Sequence, residues 1–399
     1  MDGRDGTAKK DFPKLALKKR TAAAFIRGLE EGEGFLIVGH RSPDDDCVAA
    51  MVAFGLIAVK LNKPAYLHFG APVHSQFDYL LKICTYNSIA VLGPDDAIPG
   101  PVSAVVALDT PKPAMLDLGP AALRLIEAER PRRMEIDHHL GADSSYFGDE
   151  GYRLVAAASS ASELVGYLAL KMDDDPAFKA RWQIGEFMTR NLVLAVLTGI
   201  IGDSRMGKYL KSPRERWYYE RFSQLFDRLL AQKTRTGSGN FTSKEQVFDA
   251  ITALSSDAER CFAAMMEGRR ATESFRYALL GEAEVARLRG EFGDETMTAV
   301  AKTVADALAE ESGRLGLLAY PDAPEVSGLV QFRVRRSQDY QGIDLRDMLA
   351  RLAIENGGGH PGAVGFRFPK EEAANLEPFA AGIVERIEAL VREAERNTA

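Results

Sequence analysis

Cysteine is scarce in this sequence of 399 residues, which contains three. Cys47, Cys84 and Cys261 are isolated from one another, and the sequence has no CxxC pair. This spacing argues against a disulfide framework and against a zinc knuckle. Long apolar runs are also lacking, because the longest run, residues 192–201, is too short to cross a bilayer. We therefore expect no membrane partner.

The chain also lacks an excess of positive charge, because its formal net charge is −7. Electrostatic capture of long duplex nucleic acid is not expected of such a chain. A short nucleotide is a compatible ligand, because a bound metal and a local arginine cluster hold phosphate inside an acidic protein. The basic residues at 9–20 are not followed by an apolar segment or a cleavage site, so they do not form a secretory signal. We expect a cytoplasmic protein.

The segment at residues 35–46 organises the first half of the chain. Residues 35–38, Phe-Leu-Ile-Val, predict a buried strand, and the small apolar residues 47–60 predict a buried helix. The turn between them carries His40, Asp44 and Asp46. In an open α/β sheet this turn lies at the carboxyl ends of the strands, where ligands bind.

Further predicted elements end on ionisable residues in the same way. The apolar run 102–108 ends on Asp109, and the run 133–136 ends on Asp137-His138-His139. A predicted buried helix at 181–201 is followed by Gly202 and Asp203. Several strands that deliver polar side chains to one edge are typical of a parallel sheet with a site along that edge.

A single carboxylate at the end of a strand is usually a helix cap or an ion-pair partner. Several carboxylates that converge with two or three imidazoles would repel each other unless a cation neutralised them. Mixed oxygen and nitrogen ligands suit Mn²⁺ or Mg²⁺ better than structural zinc. Six or seven such ligands fit two ions about 3.5–4 Å apart, which clamp a phosphoryl group.

The glycine-rich segment 234–240 separates two predicted domains. We predict a polar N-terminal arm at 1–20, an α/β catalytic domain with a parallel sheet at 21–232 and a linker at 233–242. The remaining residues, 243–399, predict a smaller α+β domain with a mixed sheet that binds substrate.

A second group of candidate residues lies in the C-terminal part. Arg336 and Ser337 end a predicted strand, and Gly357, Gly358 and Gly359 precede His360 in a predicted loop. Consecutive glycines let the backbone approach a ligand and present N–H groups to an anion. A flexible turn is the simpler reading of the glycines alone. The adjoining His360 and Arg-Arg-Ser segment favour phosphate or carboxylate binding.

Together these motifs resemble the DHH phosphoesterase superfamily, in particular the branch with a DHH-associated C-terminal domain and a GGGH loop. That branch includes nanoRNases, cyclic-dinucleotide phosphodiesterases and RecJ exonucleases. The resemblance covers about 35–203 and 327–368. It is carried by the His40-xxx-Asp44-x-Asp46, Asp109, Asp137-His138-His139, Gly202-Asp203 and Gly357-Gly358-Gly359-His360 segments.

The resemblance implies two Mn²⁺ ions, with Mg²⁺ or Co²⁺ as substitutes, in a site between the two domains. It implies a catalytic His139 facing the scissile phosphate, and an Asp137 that orients His138 through its ring N–H. Arg336, Ser337, the glycine amides and His360 would bind the far phosphate of the substrate. One metal would be held by His40, Asp44 and Asp109, and the other by Asp46, Asp109, His138 and Asp203, with Asp109 bridging.

The sequence thus predicts a Mn²⁺-dependent phosphoesterase acting on a short oligoribonucleotide, a linear dinucleotide or a 3′,5′-bisphosphate. The segment Gly39-His40-Arg41-Ser42-Pro43-Asp44 also resembles the related inorganic pyrophosphatases. A member that binds nucleotides without turnover is a third interpretation. A homodimer is compatible with the amphipathic face in residues 208–274.

Overall fold

The computed structural model describes residues 7–128, 131–141, 144–230, 241–253, 255–322, 327–337, 339–354 and 356–398. The chain divides into two compact units, Met1–Ala253 and Leu254–Ala399. Most of the predicted linker, residues 233–240, lies outside the described residues, as does the start of the predicted arm, residues 1–6.

The first unit is built on a six-stranded parallel sheet with the strand order β3-β2-β1-β4-β5-β6. All residues of the central strands β1 and β4 are buried, as expected of parallel strands that are covered on both faces. The strand order reverses between β1 and β4, and such a switch point is where open α/β sheets bind ligands. The strands are β1 Phe35–Val38, β2 Ala65–His68, β3 Ala90–Leu92, β4 Ala104–Leu108, β5 Arg132–Asp137 and β6 Arg153–Val155.

Nine helices in the described part of the first unit accompany this sheet. Two of them, at 45–60 and 190–203, are apolar nearly all round and pack against each other in the core. The helices are α1 Leu15–Glu31, α2 Asp45–Lys60, α3 Asp78–Tyr86, α4 Pro120–Ala128, α5 Ala161–Asp173, α6 Pro176–Arg181, α7 Arg190–Asp203, α8 Pro213–Leu230 and α9 Lys244–Thr252.

The second unit contains a mixed six-stranded sheet with the order β11-β12-β10-β9-β8-β7. Its strands pair antiparallel except for the parallel pair β8 and β9. The strands are β7 Arg270–Ala271, β8 Phe275–Leu279, β9 Leu315–Pro321, β10 Leu329–Arg336, β11 Gly357–His360 and β12 Ala363–Pro369. The helices are α10 Ser256–Met266, α11 Glu282–Phe292, α12 Asp294–Ser312, α13 Leu345–Arg351 and α14 Leu376–Thr398.

The predicted fold class, a parallel-sheet α/β unit followed by a smaller α+β unit, is confirmed. Local elements differ from the prediction in three places. The helix expected at 181–201 begins only at Arg190, because Gln183 has a positive φ of 53° that interrupts the helix. Residues 243–267 contain two helices, α9 and α10, since Ser255 caps the second by accepting from the Ala258 N–H. The expected glycine loop is the strand β11.

The boundary between the compact units lies eleven residues beyond the end of the predicted linker. Val247 and Ile251 of α9 belong to the core of the first unit. The sequence predicts that residues from 243 onward belong to the second domain. The N-terminal arm also differs in detail, because α1 begins at Leu15. No helix among the described residues combines the length and the apolar character needed to cross a membrane.

Candidate metal centre

The carboxyl ends of three strands deliver polar side chains to one edge of the parallel sheet. His40 follows β1, Asp109 follows β4 directly, and Asp137 is the last residue of β5. The strands β1, β4 and β5 are adjacent in the sheet, so these residues are neighbours as predicted. Asp109 has a φ of 49°, a left-handed backbone that costs energy in a residue other than glycine and is concentrated at functional sites.

Two helices add three more carboxylates to this edge. Asp44 is the N-cap of α2 and accepts a hydrogen bond from the Cys47 N–H at 3.3 Å. Asp46 lies in the first turn of α2 and is fully buried. Asp203 is the last residue of α7. The close packing of α2 against α7 therefore brings residues from positions 44 and 203 to the same place.

His138 is surrounded by three of these carboxylates. Its Nε2 atom lies 3.3 Å from Asp109 Oδ1, 3.3 Å from Asp203 Oδ2 and 3.9 Å from Asp46 Oδ2. These distances are longer than good hydrogen bonds, whereas ligands on adjacent corners of an octahedral ion lie about 3 Å apart. The ligand atoms of Asp46, His138 and Asp203 all lie within 4.8 Å of one another.

His40 makes a similar arrangement on the other side of Asp109. Its Nε2 atom lies 3.6 Å from Asp44 Oδ1 and 3.7 Å from Asp109 Oδ2. The two oxygens of Asp109 therefore face different imidazoles, since Oδ1 faces His138 and Oδ2 faces His40. A carboxylate in this position is suited to bridging two cations.

Both imidazoles direct Nδ1 to the backbone. Nδ1 of His40 lies 2.8 Å from the Arg41 carbonyl oxygen, and Nδ1 of His138 lies 3.3 Å from the Ala158 carbonyl oxygen. A proton on Nδ1 leaves the lone pair on Nε2, which is the nitrogen that faces the carboxylates.

The resemblance implies that Asp137 orients His138, but the structure shows a different partner for Asp137. Its Oδ1 atom instead accepts from Nδ1 of His139 at 2.8 Å. His139 Nδ1 also lies 3.5 Å from Asp109 Oδ1. Asp137 and His139 are two residues apart, and β5 ends between them, so the chain turn sets this pairing.

The pKa values of the cluster show a shortage of positive charge. Burial and the neighbouring charge of Asp109 raise the pKa of Asp46 to about 8. Burial also raises the pKa of Asp203 well above its usual range. Burial acts in the same sense on Asp109, but the nearby imidazoles of His138 and His40 outweigh it and lower the pKa of Asp109 to about 2.

The residues fit a divalent metal pair. Oδ1 of Asp109 is buried and has no hydrogen-bond partner, which is costly for a carboxylate oxygen unless a cation meets it. Burial disfavours the imidazolium form of His138, yet Asp109 and Asp203 hold its pKa well above the usual value. A divalent cation would replace the protons that otherwise balance this cluster, and the oxygen and nitrogen donors suit Mn²⁺ or Mg²⁺.

Two structural residues of this site were not found by the sequence analysis. The ammonium group of Lys9 is buried behind Asp137, with Nζ 2.6 Å from Asp137 Oδ2. Gly199 of α7 is so close to α2 that an added Cβ would lie 2.4 Å from Asp46 Oδ1. Neither contact has a local sequence signal. The nearest indication was the Gly199-Ile-Ile-Gly202-Asp203 segment at the end of a predicted buried helix.

The predicted substrate residues lie together at one end of the second unit's sheet. Arg336 ends β10 and donates from Nη1 to the Ile343 carbonyl oxygen at 2.8 Å, and its backbone N–H donates to Gly362. Ser337 Oγ is buried without a hydrogen-bond partner in the described chain. The residues of β11, Gly357, Gly358, Gly359 and His360, pair with β12 at the sheet edge.

The glycines of β11 have a structural role of their own. Gly359 has a φ of 143°, and a Cβ there would lie 2.2 Å from the Ala363 carbonyl oxygen. A Cβ on Gly357 would lie 2.8 Å from the Cβ of Phe366. The tight hairpin therefore requires at least these two glycines, while Gly358 and Gly359 leave exposed backbone at the edge.

Comparisons with solved structures concern the fold of this chain. An exopolyphosphatase-related protein from Bacteroides fragilis is similar in structure, with a TM-score of 0.61, 14% identity and coverage of 94% of this chain and 98% of that chain. At that identity the similarity shows the fold alone. No curated protein sequence matches the chain.

Two further solved structures are similar at lower scores. A putative family II inorganic pyrophosphatase from Methanococcus jannaschii has a TM-score of 0.38 at 14% identity, covering 75% of this chain and 86% of that chain. RecJ in complex with Mn²⁺ from Thermus thermophilus has a TM-score of 0.40 at 14% identity, covering 98% of this chain and 56% of that chain.

A family model matches the part of the chain that carries the cluster. Residues 34–200 match the model of the DHH family, N-terminal domain. The matched residues run from β1 to the last turn of α7, and they include His40, Asp109 and His138. Residues 34–200, which carry most of the cluster, are therefore similar to the N-terminal domain of the DHH family.

Proposed function

We propose that this protein is a Mn²⁺-dependent phosphoesterase that hydrolyses short nucleotides through two metal ions. Its substrates would be a short oligoribonucleotide, a linear dinucleotide or a 3′,5′-bisphosphate. The observation that carries the proposal is Asp109, whose two oxygens each face a different histidine in a buried cluster of carboxylates. The DHH domain supports the reaction class, and membership of the GGGH branch stays a prediction.

The proposed ligands follow the two sides of Asp109. His40, Asp44 and Asp109 would hold one ion, and Asp46, His138, Asp203 and Asp109 would hold the other. Two divalent ions, when bound, supply positive charge for the phosphoryl oxygens and lower the pKa of a water molecule. The protein contributes a buried and preorganised set of donors, which costs little reorganisation during the reaction.

His139 is the proposed proton-transfer group. Asp137 holds Nδ1 of His139 at 2.8 Å, so the ring is fixed in one orientation with its lone pair on Nε2. The His139 side chain is 28% exposed, whereas the His138 side chain is 3% exposed, so His139 is the more accessible of the two to a substrate. It would hold or deliver a proton at the scissile phosphate.

The second unit is proposed to bind the far phosphate or terminal nucleotide of the substrate. Arg336 supplies a guanidinium group, and Ser337 supplies a buried hydroxyl without a partner in the described residues. The exposed backbone of β11 and the imidazole of His360 supply further donors. We expect His360→Ala to raise KM more than it lowers kcat.

A panel of small phosphate esters tests the proposal. The purified full chain is incubated with Mn²⁺ and a labelled dinucleotide, a trinucleotide, a 3′,5′-bisphosphate or pyrophosphate. We expect mononucleotides or phosphate from one of the first three substrates. Orthophosphate from pyrophosphate alone would favour the pyrophosphatase interpretation, and tight nucleotide binding without turnover would favour a non-catalytic member.

A further inference from the structure

A buried lysine lies directly behind the candidate metal centre. Lys9 belongs to the N-terminal segment before α1, and it is 1% exposed. Its ammonium group lies 2.6 Å from Asp137 Oδ2 and 2.7 Å from Glu135 Oε1, with side-chain exposures of 0% for Lys9, 2% for Glu135 and 0% for Asp137. Lysine is almost never fully buried unless it is paired. The burial of Lys9 therefore depends on its ion pairs with Asp137 and Glu135.

The Lys9 ammonium group contacts three oxygen atoms in one small region. Nζ donates to the Thr110 carbonyl oxygen at 2.6 Å in addition to its two carboxylate contacts. Thr110 lies just after β4, and Asp137 is the last residue of the adjacent strand β5. Lys9 therefore contacts the ends of both strands beside the candidate metal centre. Two of these contacts are hydrogen bonds, and the third, to Glu135, is an ion pair.

The backbone around Lys9 is tied to the same region. The Lys9 N–H donates to Ser144 Oγ at 3.2 Å, and the Gly141 N–H donates to the Lys9 carbonyl oxygen at 3.2 Å. Gly141 follows His139 by two residues. The N-terminal segment is thus fastened beside the Asp137-His138-His139 turn, and the position of Lys9 does not depend on its side chain alone.

Asp137 shares its two oxygens between Lys9 and His139. Oδ2 accepts from Lys9 Nζ at 2.6 Å, and Oδ1 accepts from His139 Nδ1 at 2.8 Å. Lys9 therefore sets the rotation of the carboxylate that in turn sets the His139 ring. Without the ammonium group, Asp137 and Glu135 would share a buried space with no cation between them, which is strongly unfavourable.

We propose that Lys9 is a positioning residue, which fixes the Asp137 carboxylate so that His139 keeps its proton on Nδ1 and its lone pair on Nε2. The catalytic consequence rests on the proposed function, but the effect on the His139 ring does not. Glu135 has a different task, because its Oε2 atom accepts from the Phe147 and Gly148 N–H groups at 3.1 and 3.0 Å.

Three variants of the full chain test the proposal. Lys9→Met removes the charge and keeps the length of the side chain. Lys10→Met is the matched control, because Lys10 is the exposed neighbour of Lys9. The double variant Lys9→Met/Glu135→Gln removes one positive and one negative charge, so it restores the charge balance of the buried group without restoring the contact to Asp137.

The main measurement is the tautomer of His139 by ¹⁵N NMR on metal-free protein labelled at histidine. Spectra are recorded at about pH 9, where a histidine side chain in water is neutral, and the signal is assigned with His139→Gln. We expect Nδ1–H in the wild type and in Lys10→Met. We expect a loss of this single tautomer in Lys9→Met and in the double variant.

Kinetics and thermal unfolding complete the test. We expect kcat of Lys9→Met to fall about 10–100-fold, the usual effect of removing a group that orients a metal-site residue, with KM nearly unchanged. The double variant should regain the melting temperature lost in Lys9→Met and keep the low kcat.

Two results would overturn the proposal. The first is a His139 tautomer or a kcat in Lys9→Met equal to that of Lys10→Met. The second is a double variant that regains the tautomer and kcat together with its stability, because Lys9 would then be a counter-charge only. A wild type with no phosphoesterase activity would contradict the proposed function, while the tautomer would still decide the role of Lys9.

Discussion

Asp109 occupies an unusual position among the carboxylates at the sheet edge. Its backbone is left-handed, its side chain is buried, and one of its oxygens has no hydrogen-bond partner. Each of these features costs free energy in the folded protein. A residue under such strain is expected where the surroundings hold it for a function, and two cations that share its carboxylate would supply the missing interaction.

Asp109→Asn tests this residue directly. The amide keeps the shape of the side chain and removes the negative charge, so we expect Mn²⁺ affinity and hydrolysis to fall at least about 100-fold. Isothermal titration with Mn²⁺ and a turnover assay measure the two effects. The protein should remain folded by circular dichroism.

Asp95→Asn is the matched control for this substitution. Asp95 is exposed in the segment that follows β3, and its replacement should leave both measurements unchanged. Turnover of Asp109→Asn close to that of the wild type would contradict the bridging role.

The N-terminus of α5 and the C-terminal part of α7 both lie against Asp46. The Ala161 and Ser162 N–H groups donate to the two Asp46 oxygens at 2.6 and 2.9 Å. These amides belong to the first turn of α5, where helix N–H groups have no partner inside the helix. Gly199 of α7 also lies against Asp46 and leaves no room for a side chain. Three helices therefore meet at one carboxylate.

Gly199→Ala tests this element contact. The added methyl group would lie 2.1 Å from Ser162 Oγ and 2.4 Å from Asp46 Oδ1, so α7 must move away from α2 and α5. Such overpacking costs about 1–3 kcal/mol of unfolding free energy. Because Asp203 ends α7, the shift should also weaken Mn²⁺ binding. Urea unfolding and Mn²⁺ titration measure the two effects.

Gly185→Ala controls for the change of residue type. Gly185 is exposed, and a Cβ there would have no atom within 4 Å. This variant should match the wild type in both experiments. If Gly199→Ala also matched the wild type, the close contact between α7 and Asp46 would have no role in the site.

At the scale of the whole molecule, proton binding by the cluster links metal binding to stability. The raised pKa values of Asp46, about 8, and of Asp203 mean that the folded protein holds protons which the unfolded chain has lost. His40 and His138 also keep protons above their usual range, because contacts with neighbouring groups outweigh the effect of burial. When the folded state binds more protons than the unfolded state, stability falls as pH rises.

We therefore expect the melting temperature of metal-free protein to fall between about pH 6.5 and about pH 8.5. Saturating Mn²⁺ should remove this fall, because the cation replaces the protons. Differential scanning calorimetry at constant ionic strength, with and without Mn²⁺, measures the effect. Asp203→Asn removes one of the titrating groups and should flatten the metal-free profile. A metal-free melting temperature that rises over this range would contradict the prediction.

The sequence by itself determined the frame of the site. Apolar runs that end on His40, Asp109 and Asp137 predicted strands of a parallel sheet, and parallel strands place their carboxyl ends at one edge. The predicted strand at 35–38 has the same bounds in the structure. These features depend on side-chain pattern over a few residues, which local sequence records directly.

Only the tertiary structure decided which distant residues contact the site. The burial of Lys9 and the need for glycine at 199 both arise where separate elements pack together. Lys9 and Asp137 are 128 positions apart, so no local pattern could relate them. Contacts of this kind are set by the distances between packed elements, which depend on the whole core and not on any one segment.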